Sequence, residues 1–185
     1  MKSIKKTIYS ICIVSLVAIT LSSCTSKINV PQEYIITKES LKDSLSVENE
    51  SIVFFWTGWC GGSKMQLQNH YLPLADSIKS QDLDVKLLLI ASDENIPLTE
   101  VQQYREKGIS VFYLERPGTN PIANRMAIKK FINKSFPDNN FTHLDKFGFG
   151  IPVSMLIDKD LNIVNEKEYN KSFTYVLELL GAKFD

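Results

Sequence analysis

The chain is 185 residues long, which suits a single domain large enough to bury a substantial core. It carries 21 Lys and Arg residues and 21 Asp and Glu residues, so its formal net charge is zero. Lys2, Lys5 and Lys6 lie in the first six residues, and without them 18 basic residues face 21 acidic ones, a charge of −3. No basic stripe remains for the phosphates of nucleic acid, so we expect no nucleic-acid partner.

The amino terminus has the pattern of a secretory signal. A positive segment, MKSIKK, precedes an apolar one, TIYSICIVSLVAIT, which is too short for a permanent membrane-spanning helix. It ends at LSSC, Leu21 to Cys24, which resembles the lipobox of bacterial lipoproteins. The resemblance implies cleavage after residue 23 and lipid attachment to Cys24. We therefore predict a signal peptide over 1–23 and a protein of the cell envelope, lipid-anchored to a bacterial membrane, whose domain faces the periplasm or the exterior. A simple secretory peptide or an uncleaved anchor is the alternative.

The chain has three cysteines, and the predicted processing leaves only one of them as a thiol. Cys12 is removed with the signal peptide and Cys24 carries lipid, so Cys60 remains. A mature chain with a single thiol forms no structural disulfide of its own. Because envelope compartments permit disulfides, Cys60 is placed where thiol–disulfide exchange is possible.

The first predicted elements lie between the signal and residue 79. Residues 24–36 are predicted to be a tether that leads away from the membrane. Residues 37–50 predict a short helix, because two leucines lie four positions apart and a Thr or Ser near its start can cap it. Residues 51–56, SIVFFW, are a continuous apolar run, which is typical of a strand buried on both faces. Helical spacing of apolar residues follows from Gln66 to Lys79.

Strands and helices continue to alternate in the middle of the chain. The predicted elements are a strand over 84–92, a helix over 97–108, a strand over 110–115, a turn over 116–121 and a helix over 122–133. The helix over 97–108 begins at a proline and ends at a glycine, which are typical start and stop signals.

The last third of the chain is predicted to be irregular at first and then to form a hairpin and a helix. The ranges are 134–150 for the irregular segment, 152–158 and 161–166 for the hairpin, and 172–184 for the closing helix. Alternation of strands and helices favours parallel strands with crossovers, whereas the late hairpin adds antiparallel ones. The predicted fold is an α/β sandwich with a mixed central sheet flanked by helices, as one domain over 37–185.

Two segments resemble the landmarks of the thioredoxin family. VFFWTGWCGGS, residues 53–63, resembles the family's active-site segment, a buried strand that runs into a Trp-Cys-Gly-x-Cys turn at a helix start. GFGIPVSMLIDKDLNIV, residues 148–164, resembles the cis-proline loop that leads into a strand and hairpin. Together with the leader, the combination is most similar to the membrane-anchored thioredoxin-like proteins of the TlpA and ResA type. The resemblance covers roughly residues 45–185 and implies a thioredoxin-like fold.

The resemblance also implies roles for individual residues. Cys60 matches the family's attacking cysteine and Trp59 the tryptophan before it. Pro152 matches the cis-proline, and its loop, with Ile151, is implied to lie against the thiol and to bind the substrate backbone. An ordinary trans proline that opens a strand is the alternative for Pro152. The main departure is Ser63, which stands where the family has its second cysteine.

The missing second cysteine restricts the chemistry. In a two-cysteine site the second thiol attacks the mixed disulfide and releases the reduced substrate. A serine at position 63 cannot do this, so the mixed disulfide on Cys60 has to be resolved by another cysteine of the substrate or by an external thiol. The sequence therefore predicts a monothiol isomerase or reductase with Cys60, Ser63 and Trp59 at its site. Its expected partners are cysteine-containing client proteins or low-molecular-weight thiols.

Other interpretations remain open beside this one. Ser63 to Gln66 has the pattern of a capping box, in which case the helix begins near Ser63 and Cys60 lies a turn before it. The whole protein is alternatively a non-catalytic thioredoxin-fold binding module whose thiol is incidental. One Cys, with His143 and scattered Met residues, makes a poor metal set, so we expect neither a metal nor another cofactor.

Overall fold

The structure is a computed structural model of the chain. It describes residues 30–45, 48–137, 153–164 and 171–181. These residues form a central sheet with helices on both faces. No helix among them is long and apolar enough to cross a membrane.

The sheet has five strands within the described residues, in the order β1-β4-β3-β2-β5. They are β1 (Ile35–Ile36), β2 (Glu50–Trp56), β3 (Val85–Asp93), β4 (Ser110–Gly118) and β5 (Val153–Ile157). Neighbouring strands from β1 to β2 run parallel, whereas β5 is antiparallel to β2. The predicted α/β fold with a mixed sheet is therefore confirmed.

Helices cover both faces of this sheet. They are α1 (Lys38–Ser44), α2 (Gly61–Gln66), α3 (Leu72–Gln81), α4 (Leu98–Glu106), α5 (Pro121–Ser135) and α6 (Lys171–Leu179). A π-helical turn, Leu67–Tyr71, joins α2 to α3 without a break. The apolar cores show that α1 and α5 pack on one face, and that the π-helical turn, α3, α4 and α6 pack on the other.

The two central strands read as continuous apolar runs because helices cover both of their faces. Along β2, Val53 and Phe55 enter the core on the α5 face, whereas Phe54 and Trp56 enter the core on the α3 face. All four side chains are 0% exposed. Trp56 is the last residue of β2, so Thr57 lies at the edge of the sheet where the parallel strands end.

Helix α1 is fixed at its start by a pair of reciprocal hydrogen bonds. Thr37 Oγ1 accepts from Ser40 N at 3.1 Å, and Ser40 Oγ accepts from Thr37 N at 2.8 Å. This confirms the predicted cap and the short helix that follows it. The residues just before it differ from the prediction, since Ile35 and Ile36 were assigned to the tether but form β1, which pairs with β4.

Strand β4 extends further than its sequence indicated. The predicted turn over 116–121 is wrong in its first half, because residues 116–118 continue the strand. The cause is tertiary, since Gly118 pairs with Asp93 of β3 beyond a register shift. Proline and glycine in sequence suggested a turn here, but Pro117 lies at the end of the strand, where a missing amide donor is tolerated.

The first strand of the predicted hairpin is confirmed as β5. Beyond it, the chain turns through residues 158–162 and forms an antiparallel bridge between Ile157 and Ile163, while residues 165–166 of the predicted second strand lie outside the described residues. Leu161, with φ of 62°, adopts the left-handed conformation in this turn, which is rare for a residue with a large side chain. The irregular segment predicted over 134–150 lies mostly outside the described residues.

Gly118 is the position in the sheet least tolerant of a side chain. A β-carbon there would overlap the backbone of Ala123 and Asn124 in the first turn of α5. We expect Gly118→Ala to lower the free energy of unfolding by about 3 kcal/mol, because a backbone contact cannot yield as a flexible side chain does. Urea denaturation followed by tryptophan fluorescence measures the change.

Gly61→Ala is the matched control, because a β-carbon at Gly61 meets no atom within 4 Å. It should leave the free energy of unfolding unchanged or raise it slightly, since alanine is the better helix former. Equal stability of the Gly118→Ala and Gly61→Ala proteins would contradict the close approach of β4 and α5.

Candidate active site

The site begins where β2 ends and α2 starts, at the edge of the sheet formed by the ends of the parallel strands. Cys60 is the residue that precedes the helix, and α2 starts at Gly61. The helix start that the resemblance implies at the cysteine turn is therefore confirmed, whereas the apolar pattern indicated a helix only from Gln66, and the capping box from Ser63 to Gln66 is wrong. Glycines give no apolar periodicity and are weak helix formers, so the pattern concealed the first turn.

The Cys60 thiol lies beside the first turn of this helix. A β-carbon added at Gly62 would lie 4.0 Å from Cys60 Sγ, which places the sulfur next to the helix start. The Cys60 carbonyl accepts a hydrogen bond from Lys64 N at 3.1 Å. Cys60 is reduced and partly exposed.

Ser63 holds the loop in front of Cys60 from the inside. Its side chain is 0% exposed, and its Oγ accepts a hydrogen bond from Thr57 N at 3.0 Å. Thr57 is the first residue after β2, so this bond joins the end of the strand to the first turn of α2. Ser63 is therefore a structural residue of the site as well as the one that replaces a second thiol.

Two residues at the end of β3 fix the same loop from the other side. Ser92 Oγ donates to the carbonyl of Trp56 at 2.8 Å. Asp93 Oδ2 accepts from Gly58 N at 3.1 Å, while Asp93 Oδ1 accepts from the backbone and side-chain nitrogens of Asn95, both at 2.9 Å. Asp93 is 1% exposed, and three donors around it offset the cost of burying a carboxylate.

Sequence reasoning missed both of these β3 residues. The available signal was an acidic residue at the end of a buried strand that was predicted to lie beside β2 in a parallel arrangement. In open α/β sheets, functional groups collect outside the carboxyl ends of the parallel strands. Asp93 also leaves little room at Gly58, where a β-carbon would lie 3.3 Å from Asp93 Oδ2.

Two large apolar side chains are exposed close to Cys60 in sequence. Trp59, placed before the thiol by the resemblance, is 43% exposed, and Met65 in α2 is 58% exposed. By contrast, Trp56 is fully buried, and its ring meets Tyr104 edge-on at 6.5 Å between centroids. Exposed apolar side chains therefore lie both before and after Cys60 in the sequence.

Two aromatic contacts are formed by residues of the π-helical turn after α2. Tyr71 stacks on Phe54 of β2, with ring centroids 3.7 Å apart, and burial raises the pKa of Tyr71. The phenol is therefore neutral at pH 7 and contributes packing rather than charge. His70 is partly buried and meets Phe173 of α6 edge-on at 5.0 Å.

Three of the predicted site residues cannot be placed. Ile151, Pro152 and the predicted lipidation site Cys24 lie outside the described residues, as does His143. Cys60, Trp59 and Ser63 lie within them and come together at the start of α2. In the described part of the chain, no three His, Cys, Asp or Glu residues are grouped as metal ligands.

Comparisons with known proteins give structural matches only. No protein-family model matches the chain, and no curated protein matches it. One structural match is a thiol:disulfide interchange protein from a Bacteroides species, with 17% identity, a TM-score of 0.45, and coverage of 77% of this chain and 80% of the other. A second is the thioredoxin domain of a thiol-disulfide oxidoreductase from Bacteroides vulgatus, with 13% identity, a TM-score of 0.42, and coverage of 76% and 83%.

A third match is a thiol-disulfide oxidoreductase from Bacteroides fragilis, with 12% identity, a TM-score of 0.43, and coverage of 71% of this chain and 82% of the other. At such low identity, the reactive residues of these proteins need not be present here. Only the residues of this chain can indicate its chemistry.

The Asp93 carboxylate should be needed to hold the loop before Cys60. In Asp93→Asn, an amide NH₂ replaces one of two accepting oxygens and faces an N–H donor. We expect the free energy of unfolding to fall by about 2 kcal/mol, because a buried donor is left without an acceptor. Urea denaturation measures the loss. The neighbouring Glu94→Gln is the control, since Glu94 is exposed, and equal stability of the two variants would rule out this role.

Proposed function

We propose that this protein performs thiol–disulfide exchange with Cys60 as its single nucleophile, while lipid on Cys24 holds it in the cell envelope. The observation that carries the chemical part is the position of Cys60. Cys60 is partly exposed at a helix start, close in sequence to the exposed Trp59 and Met65, on a loop fixed by hydrogen bonds to Ser63, Ser92 and Asp93.

The first step of the proposed reaction forms a mixed disulfide. The Cys60 thiolate attacks one sulfur of a substrate disulfide, the substrate S–S bond breaks, and a new S–S bond joins Cys60 to the substrate. The departing substrate sulfur leaves as a thiolate and takes a proton from water. No electrons are gained or lost overall, because one disulfide replaces another.

The second step needs a thiol from outside the protein, because the serine hydroxyl at position 63 does not displace sulfur. In isomerisation, another cysteine of the same client attacks the mixed disulfide, forms a new disulfide in the client and returns Cys60 as a thiolate. In reduction, a small thiol such as glutathione releases the client, and a second one releases Cys60 with formation of glutathione disulfide. Each full reduction consumes two small thiols per client disulfide, which balances the two electrons that the client gains.

A site with a single cysteine and external resolving thiols suits clients that are trapped with non-native disulfides. A site with two cysteines escapes from a slow client by forming its own disulfide, whereas a single-cysteine site stays bound until a thiol resolves it. Trp59 and Met65 offer apolar surface for an unfolded client segment during that time. The proposed partners are therefore cysteine-containing proteins, with low-molecular-weight thiols as resolving agents.

Refolding of ribonuclease with scrambled disulfides, in the presence of reduced glutathione, tests the proposal. The wild-type protein should speed the recovery of ribonuclease activity, and Cys60→Ser should remove the acceleration completely, because no other thiol is available in the processed chain. Glu94→Gln is the control and should retain the full acceleration. Acceleration by Cys60→Ser equal to that of the wild type would contradict the proposal.

A non-catalytic binding module is the second candidate. The exposed Trp59 and Met65 favour it, since apolar surface alone can hold a partner. The two candidates separate on the same variant. A binding module retains its partner when Cys60 is replaced by serine, whereas an exchange enzyme loses the covalent complex that non-reducing electrophoresis detects.

A further inference from the structure

Helix α5 has an unusual charge for a helix in a neutral chain. Its fifteen residues, PIANRMAIKKFINKS, contain Arg125, Lys129, Lys130 and Lys134 and no carboxylate. Because the chain as a whole has net charge zero, the residues outside this helix carry an excess of four negative charges. The positive charge is therefore concentrated on one helix rather than spread over the surface.

The outer side of α5 combines this charge with exposed apolar side chains. Ile122 is 73% exposed and Met126 is 67% exposed, and they are four positions apart, so they lie on one side of the helix. Arg125, Lys130 and Lys134 are also exposed. Helical spacing places Arg125 on one flank of the apolar pair and the two lysines on the other. We name this set of five residues the α5 face.

A groove continues the α5 face toward α1 and the end of β4. It has a volume of about 1140 Å³, and its lining includes Met126, Lys130 and Lys134 of α5 together with Arg116 and Lys38. Glu39 and Glu115 also line it, and Glu39 forms an ion pair with Lys38 at 3.7 Å. Apart from this ion pair, the charged residues that line the groove carry a net positive charge. The apolar and exposed Met126 lines the groove with them.

We propose that the α5 face and this groove dock on the anionic headgroups of the membrane surface. Apolar side chains flanked by lysine and arginine are the pattern with which helices lie in the headgroup region, the cations near lipid phosphates and the apolar groups deeper. This docking rests on the lipid anchor of the proposed function, which supplies the membrane. It also adds to it, because an anchor alone leaves the domain without a fixed orientation.

A short stretch of chain would join the predicted anchor to the domain. Val30 lies six positions after Cys24, and an extended chain of that length reaches at most about 20 Å. Val30 packs against the core on the face opposite α5, so the anchor alone does not turn α5 toward the bilayer. In the proposal, attraction between the cationic side chains and anionic lipid, which acts over about 10 Å at 0.1 M salt, sets that orientation.

Docking through α5 leaves the thiol site accessible. Helix α5 packs on one face of the sheet, whereas the π-helical turn that continues the helix after Cys60 packs on the opposite face. A membrane that covers the outer side of α5 therefore leaves that opposite face of the sheet uncovered. The proposed arrangement presents the exchange site to clients on the side away from the lipid.

Two methionines make this orientation measurable. Met126 on the α5 face and Met65 beside the thiol site are both exposed, at 67% and 58%, whereas Met155 is 3% exposed. The full-length protein, purified from membranes and alkylated at Cys60, is reconstituted into zwitterionic vesicles or into vesicles with one third phosphatidylglycerol. Hydrogen peroxide then oxidises accessible methionines, and mass spectrometry gives the rate for each.

We expect anionic vesicles to slow the oxidation of Met126 by about fivefold relative to zwitterionic vesicles, with Met65 unchanged, and 1 M salt to remove the protection. Lys130→Glu with Lys134→Glu should abolish it. Lys79→Glu with Lys107→Glu is the matched control, because it makes the same change of charge at exposed positions on α3 and after α4, and it should retain the protection.

Equal oxidation of Met126 on the two kinds of vesicle would overturn the docking proposal, as would protection that survives high salt or extends to Met65. Flotation of the protein with zwitterionic vesicles tests the lipid anchor separately, since it does not depend on the α5 face. Failure of the docking is thus distinguishable from failure of the proposed function, because a protein that floats and exchanges disulfides can still leave Met126 exposed.

Discussion

The site depends on the hydrogen bond from Thr57 N to the buried Ser63 Oγ. It joins the first residue after β2 to the first turn of α2, with Cys60 between them. One such bond contributes about 1 kcal/mol net, but leaving a buried amide without an acceptor costs about 1–3 kcal/mol. Replacement of Ser63 by an apolar residue would therefore lower the free energy of unfolding by more than the net contribution of this hydrogen bond.

Two further hydrogen bonds fix the backbone of the same loop before Cys60. Ser92 Oγ holds the carbonyl of Trp56, and Asp93 Oδ2 holds the amide of Gly58. Three consecutive residues are thus each bound to a different side chain, and the chain reaches Cys60 with its direction set. The tight space around Gly58, where a β-carbon would lie 3.3 Å from Asp93, shows how closely β3 approaches this loop.

The same serine accounts for the chemistry that we propose. A residue at position 63 that is buried and bonded to the backbone supports the loop but supplies no second thiol. The proposed exchange site then consists of one partly exposed cysteine that precedes a helix, and it depends on outside thiols for release. Helix α5 packs on one face of the sheet, whereas the chain that continues from α2 packs on the other.

Much of the fold followed from the sequence, because buried strands in a parallel arrangement are long apolar runs. The strands β2 and β3 and the helix α5 were predicted nearly to their ends, and Cys60 was identified from the residues around it. What the sequence did not show depends on contacts between distant residues. Gly61 and Gly62 lie in a helix whose start depends on the hydrogen bonds that fix the preceding loop. Gly118 extends β4 by pairing with Asp93. Asp93 itself accepts a hydrogen bond from a loop residue 35 positions away in sequence.

Disulfide stoichiometry with Ellman's reagent tests the central claim, that Ser63 occupies the place of a resolving thiol beside Cys60. The Cys60→Ser protein gives the background to subtract. The account predicts that the wild type releases one thionitrobenzoate per chain and stays as a stable mixed disulfide. With one reagent molecule per chain, Ser63→Cys should release a second one, because the introduced thiol displaces the thionitrobenzoate bound to Cys60 and an internal disulfide forms, whereas two thiols that react independently would release only one. Release that stops at one equivalent in Ser63→Cys, in a protein with native stability, would contradict the account.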